Sequence, residues 1–271
     1  MERIRRNERM AALSRLLTAS PNKIFTLSHF CDRFGAAKST LSEDIDILRS
    51  VFESFGLGQL DTVTGAAGGV RYRPFMPQKE AKEFLSDLCT ELCSPSRVLP
   101  GGFLYLSDIL SMPDIVGKMG TIIAGEFYDV HPDFVLTMET KGIPVALMTA
   151  QAMGVPLVIA RRSTKVYEGS AVNINYVSGS FGHIETMSLS RRAVKEGQRA
   201  LIVDDFLKAG GTAKGMIDLM GEFNVEVVGT AFVMAKKQPH SRLIRGEKSL
   251  MTMDVRNEEP DTLTIIPAEW L

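Results

Sequence analysis

Between residues 7 and 54 the apolar positions recur at helical spacing. Met10, Leu13, Leu16 and Leu17 share one face of residues 7–19, an amphipathic helix that stops at Ser20-Pro21-Asn22. Leu27, Phe30, Cys31 and Phe34 predict a short second helix over 27–34, with Thr26 as its N-cap and Gly35 as its stop. Leu41, Ile45, Leu48 and Phe52 predict a third over 37–54. Only Gly35, Ala36 and Ala37 separate the second from the third, and so tight a glycine turn is the sequence sign of a helix-turn-helix. Leu60–Thr64 and Val70–Arg73 then read as strands joined by Gly65-Ala66-Ala67-Gly68-Gly69, a hairpin tip that can approach another surface closely. Three helices and such a hairpin make a winged helix.

Arg73-Pro74-Phe75-Met76-Pro77 interrupts any regular element, and the pattern behind it is different. Short apolar runs at Asp133–Met138, Pro156–Ala160, Ala200–Val203 and Val225–Met234 alternate with helical stretches reaching Met153 and spanning about Thr212–Phe223. Buried strands separated by helices predict an α/β fold with a mainly parallel central sheet, whose ligands bind at the carboxyl edge. The expected division is a winged-helix domain over 1–74 and an α/β domain over 75–271.

Composition adds exclusions. No run reaches the roughly 18 uncharged apolar residues of a membrane span. Arg3, Arg5, Arg6 and Arg9 lead into no apolar stretch of signal-peptide kind. Three cysteines make no disulfide framework, so a reducing cytoplasm is the expected home. Cys89 and Cys93 stand one turn apart, but no His lies at ligand spacing and no metal site is expected. The formal charge of -1 taken whole argues against a nucleic-acid binder. Divided at the prolines it changes meaning: 11 Lys+Arg stand against 8 Asp+Glu before position 75, and 20 against 24 after it. A small basic part precedes an acidic one.

The sharpest chemical signal is Leu201-Ile202-Val203-Asp204-Asp205-Phe206-Leu207-Lys208-Ala209-Gly210-Gly211-Thr212. A buried strand ends in two carboxylates, which can accept hydrogen bonds from vicinal hydroxyls. The small-residue loop that follows points backbone N–H groups and a Thr hydroxyl at one place beside a helix N-terminus, a phosphate cradle. Diol and phosphate together describe a ribose 5-phosphate. No G-x-x-x-x-G-K-[ST] and no helix-opening G-x-G-x-x-G is present, so the usual NTPase and dinucleotide readings fall away.

Residues 201–212 resemble the phosphoribosyl pyrophosphate (PRPP) signature of type I phosphoribosyltransferases. The resemblance implies that Asp204 and Asp205 hold the ribose hydroxyls, and that Lys208, Ala209, Gly210, Gly211 and Thr212, with Phe206 before them, belong to the PRPP site. Thr140-Lys141-Gly142 resembles the family's pyrophosphate loop. Arg161, Arg162 and Lys165 are similar to the basic residues that meet pyrophosphate in the adenine- and xanthine-type enzymes, unless they form a solvated basic loop. The polar, glycine-rich stretch 166–190 reads as a flexible hood over such a site. Mg²⁺ commonly accompanies PRPP.

The winged helix, Ser42-Glu43-Asp44-Ile45, Leu99-Pro100-Gly101-Gly102-Phe103 and Asn175-Tyr176-Val177-Ser178-Gly179-Ser180 extend the likeness to about residues 1–265. Over that length the chain resembles the purine operon repressors of Gram-positive bacteria. That implies a non-catalytic homodimer binding operator DNA upstream of purine genes, with PRPP as the inducer that lowers DNA affinity. An active purine phosphoribosyltransferase with an N-terminal regulatory domain, or an activator of the same build, is the alternative.

Lys38, Ser39, Thr40 and Ser42 open the third helix, where a recognition helix meets base edges and phosphates. Arg3, Arg5, Arg6 and Arg9 are candidates for phosphate contacts, and Gly68 and Gly69 for the wing's approach to DNA. Ser39 or Thr40 as a helix cap, and the arginines as ordinary solvated charges, are the competing readings. Phe103 and Tyr105 are candidates to stack on a purine base, to shape a dimer surface, or simply to fill a core.

Overall fold

The computed structural model describes residues 4–65, 68–99, 103–164, 169–178, 183–237, 242–254 and 262–271. The chain divides into two compact units, Met1–Pro77 with Gln151–Gly154, and Gln78–Ala150 with Val155–Leu271.

In the first unit, α1 (Arg6–Thr18), α2 (Leu27–Phe34) and α3 (Lys38–Ser54) follow the hydrophobic pattern. Thr26 Oγ1 accepts the His29 N–H at 3.3 Å to start α2, and Gly35, at a left-handed φ of 61°, ends it. α3 is entered from Ala37 with no side-chain cap, so neither Ser39 nor Thr40 serves as one. β1 (Gln59–Val63) and β2 (Gly69–Arg73) pair antiparallel, and Phe25 exchanges both backbone hydrogen bonds with Val70 at 2.9 Å. That bridge explains Gly69, because a Cβ there would lie 2.1 Å from the Phe25 carbonyl oxygen. Leu13, Leu17, Phe30, Leu41, Ile45, Leu48, Phe52, Leu60 and Val70 close one core across all five elements.

The second unit opens with α4 (Gln78–Leu92), the short antiparallel pair β3 (Val98–Leu99) and β4 (Phe103–Leu104), and α5 (Pro113–Glu126). There follow β5 (Phe134–Met138), α6 (Ile143–Met153), β6 (Leu157–Ala160), β7 (Ala171–Val177), β8 (Ile184–Ser190) and β9 (Arg199–Leu207). α7 (Gly211–Glu222), β10 (Glu226–Lys236), β11 (Lys248–Asp254) and β12 (Thr264–Pro267) complete it. The central sheet has the order β12-β11-β10-β9-β5-β6, parallel throughout except for β12. All five residues of β5 are buried, which is why it reads as an unbroken apolar run rather than an alternating one.

Two expectations change here. Within the stretch read as a flexible hood, 171–177 and 184–190 form the antiparallel hairpin β7–β8, while 166–168 and 179–182 lie outside the described residues. Val172, Tyr176, Met187 and Leu189 pack from it into the core beside Met216 and Leu219 of α7. The stretch looks polar because a period-2 strand hides only one face, and Asn173 and Asn175 occupy the other. The second change is that β9 does not stop at Val203. It runs to Leu207, held by pairing with β10 through Phe232↔Asp204 and Ala235↔Leu207.

Candidate functional site

β5 and β9 pair only from Phe134↔Ala200 to Leu136↔Ile202. β5 stays with β6 as far as Met138↔Ala160, and β9 with β10 as far as Ala235↔Leu207. The two neighbours therefore splay apart at their carboxyl ends. From β5 the chain moves to β6 on one side, and β9 lies on the other, so the splay falls where the strand order reverses, the usual ligand crevice of an open α/β sheet. A cavity of about 310 Å³ opens there. Its walls are Met138, Glu139, Thr140 and Lys141, the run Asp204–Ala213, Arg162, and Leu104, Leu106, Phe232, Lys236 and Met253.

Asp204 is buried, and its Oδ1 accepts the Asp205 N–H at 3.0 Å. Burial pushes its carboxyl well above the usual carboxylate range, and the charge of Asp205 adds to the effect. Burial raises Asp205 as well, against the pull of its hydrogen bond with Asp204 and of the Lys141 ammonium. Gly210 precedes α7 at φ 87°, a left-handed turn suited to glycine. The first helical bond beyond it runs from Lys214 N–H to Gly210 O at 2.8 Å, so the N–H groups of Gly211, Thr212 and Ala213 have no intrahelical acceptor and stand at the cavity wall. Gly142 packs against the acid pair: a Cβ there would lie 2.0 Å from Asp204 Oδ1.

Arg162 links the cavity to the hairpin. Its backbone N–H reaches Glu139 Oε1 at 2.6 Å, and its guanidinium donates to Glu185 Oε2, which also accepts the Tyr176 hydroxyl at 2.6 Å. Burial, then the Glu185 carboxylate, push the Tyr176 hydroxyl up to about 12, so it stays protonated and donating at neutral pH. Arg161 is directed elsewhere, its backbone bridging Ser188 of β8 and its Nη1 lying 3.5 Å from Glu139 Oε2.

The structure thus brings Thr140, Lys141, Arg162, Asp204, Asp205, Phe206, Lys208, Ala209, Gly210, Gly211 and Thr212 around one cavity, with Gly142 against Asp204. Arg161 does not line it, and Lys165 lies outside the described residues. Tyr105 is 44 % exposed and off the cavity, so it does not fill a core, while Leu104 and Leu106 on either side of it in the chain line the wall. The Phe103 side chain lies outside the described residues. The sequence reading missed Glu139, Leu104, Leu106, Phe232, Lys236 and Met253. Lys236 had a usable signal, since it ends a parallel strand beside Asp204's and so shares its edge of the sheet.

On the first unit, Lys38, Ser39 and Ser42 are exposed along the opening turns of α3, and Thr40 is half-buried. Arg5 and Arg6 are exposed. Arg9 is a correction: it is buried, and its Nε donates to Asp44 Oδ2 at 2.5 Å. Asp44 is fully buried, and its Oδ1 takes the Arg6 Nε at 2.9 Å. Arg9 is therefore tied up as the counter-ion of a core carboxylate instead of standing free for phosphate. Gly68 meets its own hairpin, where a Cβ would lie 2.4 Å from the Val63 carbonyl oxygen, whereas Gly69 meets Phe25. Arg3 lies outside the described residues.

Residues 5–74 match the family described as bacterial purine repressor, N-terminal, and residues 106–261 match the phosphoribosyl transferase domain. The purine biosynthesis transcriptional repressor of Bacillus subtilis is 44% identical over 269 residues, which cover 99% of this chain and 94% of that protein. The chain belongs to the bacterial purine repressor family. Roles within the purine repressor family differ, since a Lactococcus lactis relative, 40% identical and covering 93% of each chain, is a purine biosynthesis transcriptional activator. The xanthine phosphoribosyltransferase of Geobacillus thermodenitrificans is 33% identical over 169 residues, 60% of this chain and 87% of the enzyme. Among solved structures, the adenine phosphoribosyltransferase of Rhodothermus marinus matches at TM-score 0.53 and 21% identity, over 64% of this chain and 99% of its own. That likeness fixes the fold of the second unit. The purine repressor fold is thus a winged helix joined to a phosphoribosyltransferase-type α/β unit.

Proposed function

We propose that the protein is a homodimeric DNA-binding repressor of purine biosynthesis genes whose second unit senses PRPP, which lowers its affinity for operator DNA. One observation carries the reading: a single chain holds a winged helix with an exposed third-helix face and a splayed-sheet cavity lined by an acid pair, a helix N-terminus and basic side chains. An enzyme does not need the first, and a simple operator binder does not need the second. Asp204 and Asp205 take the ribose diol, the N–H groups at Gly211–Thr212 take the 5-phosphate, and Lys141 and Arg162 meet the pyrophosphate. Mg²⁺ arriving with PRPP suits this donor set, because two carboxylates supplement phosphate oxygens for a hard cation. Such a regulator works in the cytoplasm, where the DNA and PRPP are.

PRPP releases DNA if it binds more tightly to a conformation whose DNA-reading faces are wrongly held, and the coupling is reciprocal. An anisotropy titration of labelled DNA from upstream of a purine gene tests this. Saturating PRPP is expected to weaken binding by roughly tenfold or more, the scale of a 1–3 kcal/mol coupling. DNA affinity indifferent to PRPP would sink the proposal. The same titration at several salt concentrations is expected to give a negative slope of log K on log salt, as phosphate contacts require.

The second reading, an active purine phosphoribosyltransferase, is favoured by the likeness of 169 residues to a xanthine enzyme. A pyrophosphate-release assay with PRPP and each purine base separates the two. The regulator reading expects no sustained turnover. Gly142→Ala probes the cradle directly. Its new methyl must displace either the Asp204 carboxylate or the Thr140–Gly142 loop. PRPP affinity by calorimetry is expected to fall at least about tenfold, the equivalent of roughly 1.4 kcal/mol, with DNA affinity unchanged.

A further inference from the structure

Thr137 is fully buried, and among the described residues no hydrogen-bond partner reaches its hydroxyl. A hydroxyl withdrawn from water without a partner destabilises the fold that holds it, so an orphan of this kind asks for an explanation. Thr137 lies on β5 one residue beyond Leu136, the last residue of that strand paired with β9. It is therefore the first residue inside the splay. A Cβ on Gly142 would lie 2.6 Å from Thr137 Oγ1 and 2.0 Å from Asp204 Oδ1, so both oxygens crowd the same point from two strands. Gly142 is what keeps them close: any side chain there would push them apart.

Asp204 is short of donors in turn. Its Oδ1 accepts the Asp205 N–H, while a carboxylate offers about four acceptor sites. The positive groups that line the cavity are Lys141, Arg162, Lys208 and Lys236. A carboxylate that takes a ligand diol gains from every further donor nearby. The Thr137 hydroxyl, whose oxygen crowds the same point, has no bond to give up first.

We propose that Thr137 is a positioning residue of the sensor, whose hydroxyl donates to Asp204 when PRPP engages that carboxylate. The inference rests on the PRPP reading of the site. It makes the hydroxyl a cost carried by the free protein and recovered in the bound one.

The test is calorimetric titration of the full-length protein with Mg²⁺ and PRPP, alongside thermal unfolding without ligand, for wild type, Thr137→Val, Thr137→Ala and Thr137→Ser. Thr137→Val keeps the shape and deletes the donor. It is expected to bind PRPP at least about tenfold more weakly, a loss of one charge-assisted hydrogen bond, while the free protein melts no lower than wild type. Thr137→Ser is expected to restore affinity, because the hydroxyl returns without the methyl group. Thr137→Ala provides a second deletion should the valine variant fold poorly. Wild-type affinity in both deletion variants overturns the proposal, as does a serine variant as weak as valine. A valine variant that melts lower yet binds normally assigns the hydroxyl to the fold and also overturns it. If wild type itself fails to bind PRPP, the sensing function falls and this inference falls with it, an outcome plainly different from the others.

Discussion

Replacing Asp204 and Asp205 together by asparagine is expected to abolish the response to PRPP while leaving DNA affinity unchanged. Asparagine keeps the side-chain shape and removes the two charges to which the ribose hydroxyls donate. Hydrogen bonds to charged groups are worth about 1.5–3 kcal/mol each, so losing both weakens PRPP by roughly two orders of magnitude or more. The stability of the free protein is expected to move the other way. Burial raises Asp204 above its unfolded value, so in the interval between the two values the folded protein holds a proton that the unfolded chain has released. Stability therefore falls as pH climbs through that interval, and above the folded value the whole cost of burying the charge is in place. Asp204→Asn alone should then melt higher than wild type at the upper end of the range. The difference should vanish below about pH 4, where the carboxyl is protonated in both states. A pH series of melting curves reads this, and an asparagine variant that melts lower across the series contradicts the assigned electrostatics. PRPP affinity in the wild type is expected to rise with pH over the same interval.

The second large effect belongs to the first unit. Asp44→Ala removes the sole fully buried carboxylate among its described residues and leaves the Arg9 guanidinium buried without its counter-ion. Breaking a buried pair on one side costs about 3–5 kcal/mol, a large part of the roughly 5–15 kcal/mol that holds a domain together. DNA binding is expected to be lost at 37 °C, with PRPP binding by the second unit retained. Arg6 contributes little to the figure, because its side chain is 52% exposed and water already screens it. Replacing both partners, Arg9→Met with Asp44→Leu, leaves no orphan charge and should recover most of the lost stability. Circular dichroism and DNA anisotropy on the single and double variants decide the matter. A double variant no better than Asp44→Ala would show that the pair does more than neutralise itself.

That ion pair marks a limit of what the residues alone disclosed. The three helices and the hairpin were legible because Leu13, Leu17, Leu41, Ile45, Leu48 and Phe52 keep strict helical spacing and glycines punctuate the turns. Arg9 was read as a surface charge because charge normally means surface. Yet Arg9 stands four residues before Leu13, and Asp44 three after Leu41 and four before Leu48, each on the apolar face of its helix. Opposite charges on two facing apolar stripes are the signature of a buried pair. In the second unit the motif 201–212 disclosed one wall of the cavity, because acid pair, glycine loop and helix start are contiguous. The rest of the wall was hidden for the opposite reason. Phe232 and Met253 meet it through the strand order of the central sheet, and Leu104 comes from the separate β3–β4 pair, three distant parts of the chain. The hairpin β7–β8 was mistaken for a hood because half of each strand is polar by construction.

The distribution of the two cores along the chain has a consequence during synthesis. Everything that closes the first core lies between Ile4 and Tyr72, so that unit can fold soon after this segment leaves the ribosome. The cavity is incomplete until Met253 emerges, and the sheet around it joins strands remote in sequence, a slower pairing to find. At about 5–20 residues per second, some ten to forty seconds separate the two events. For that interval every growing chain carries a finished winged-helix core and an incomplete cavity. A premature stop codon in the same span is expected to make the condition permanent, giving a winged helix whose DNA affinity no added PRPP changes.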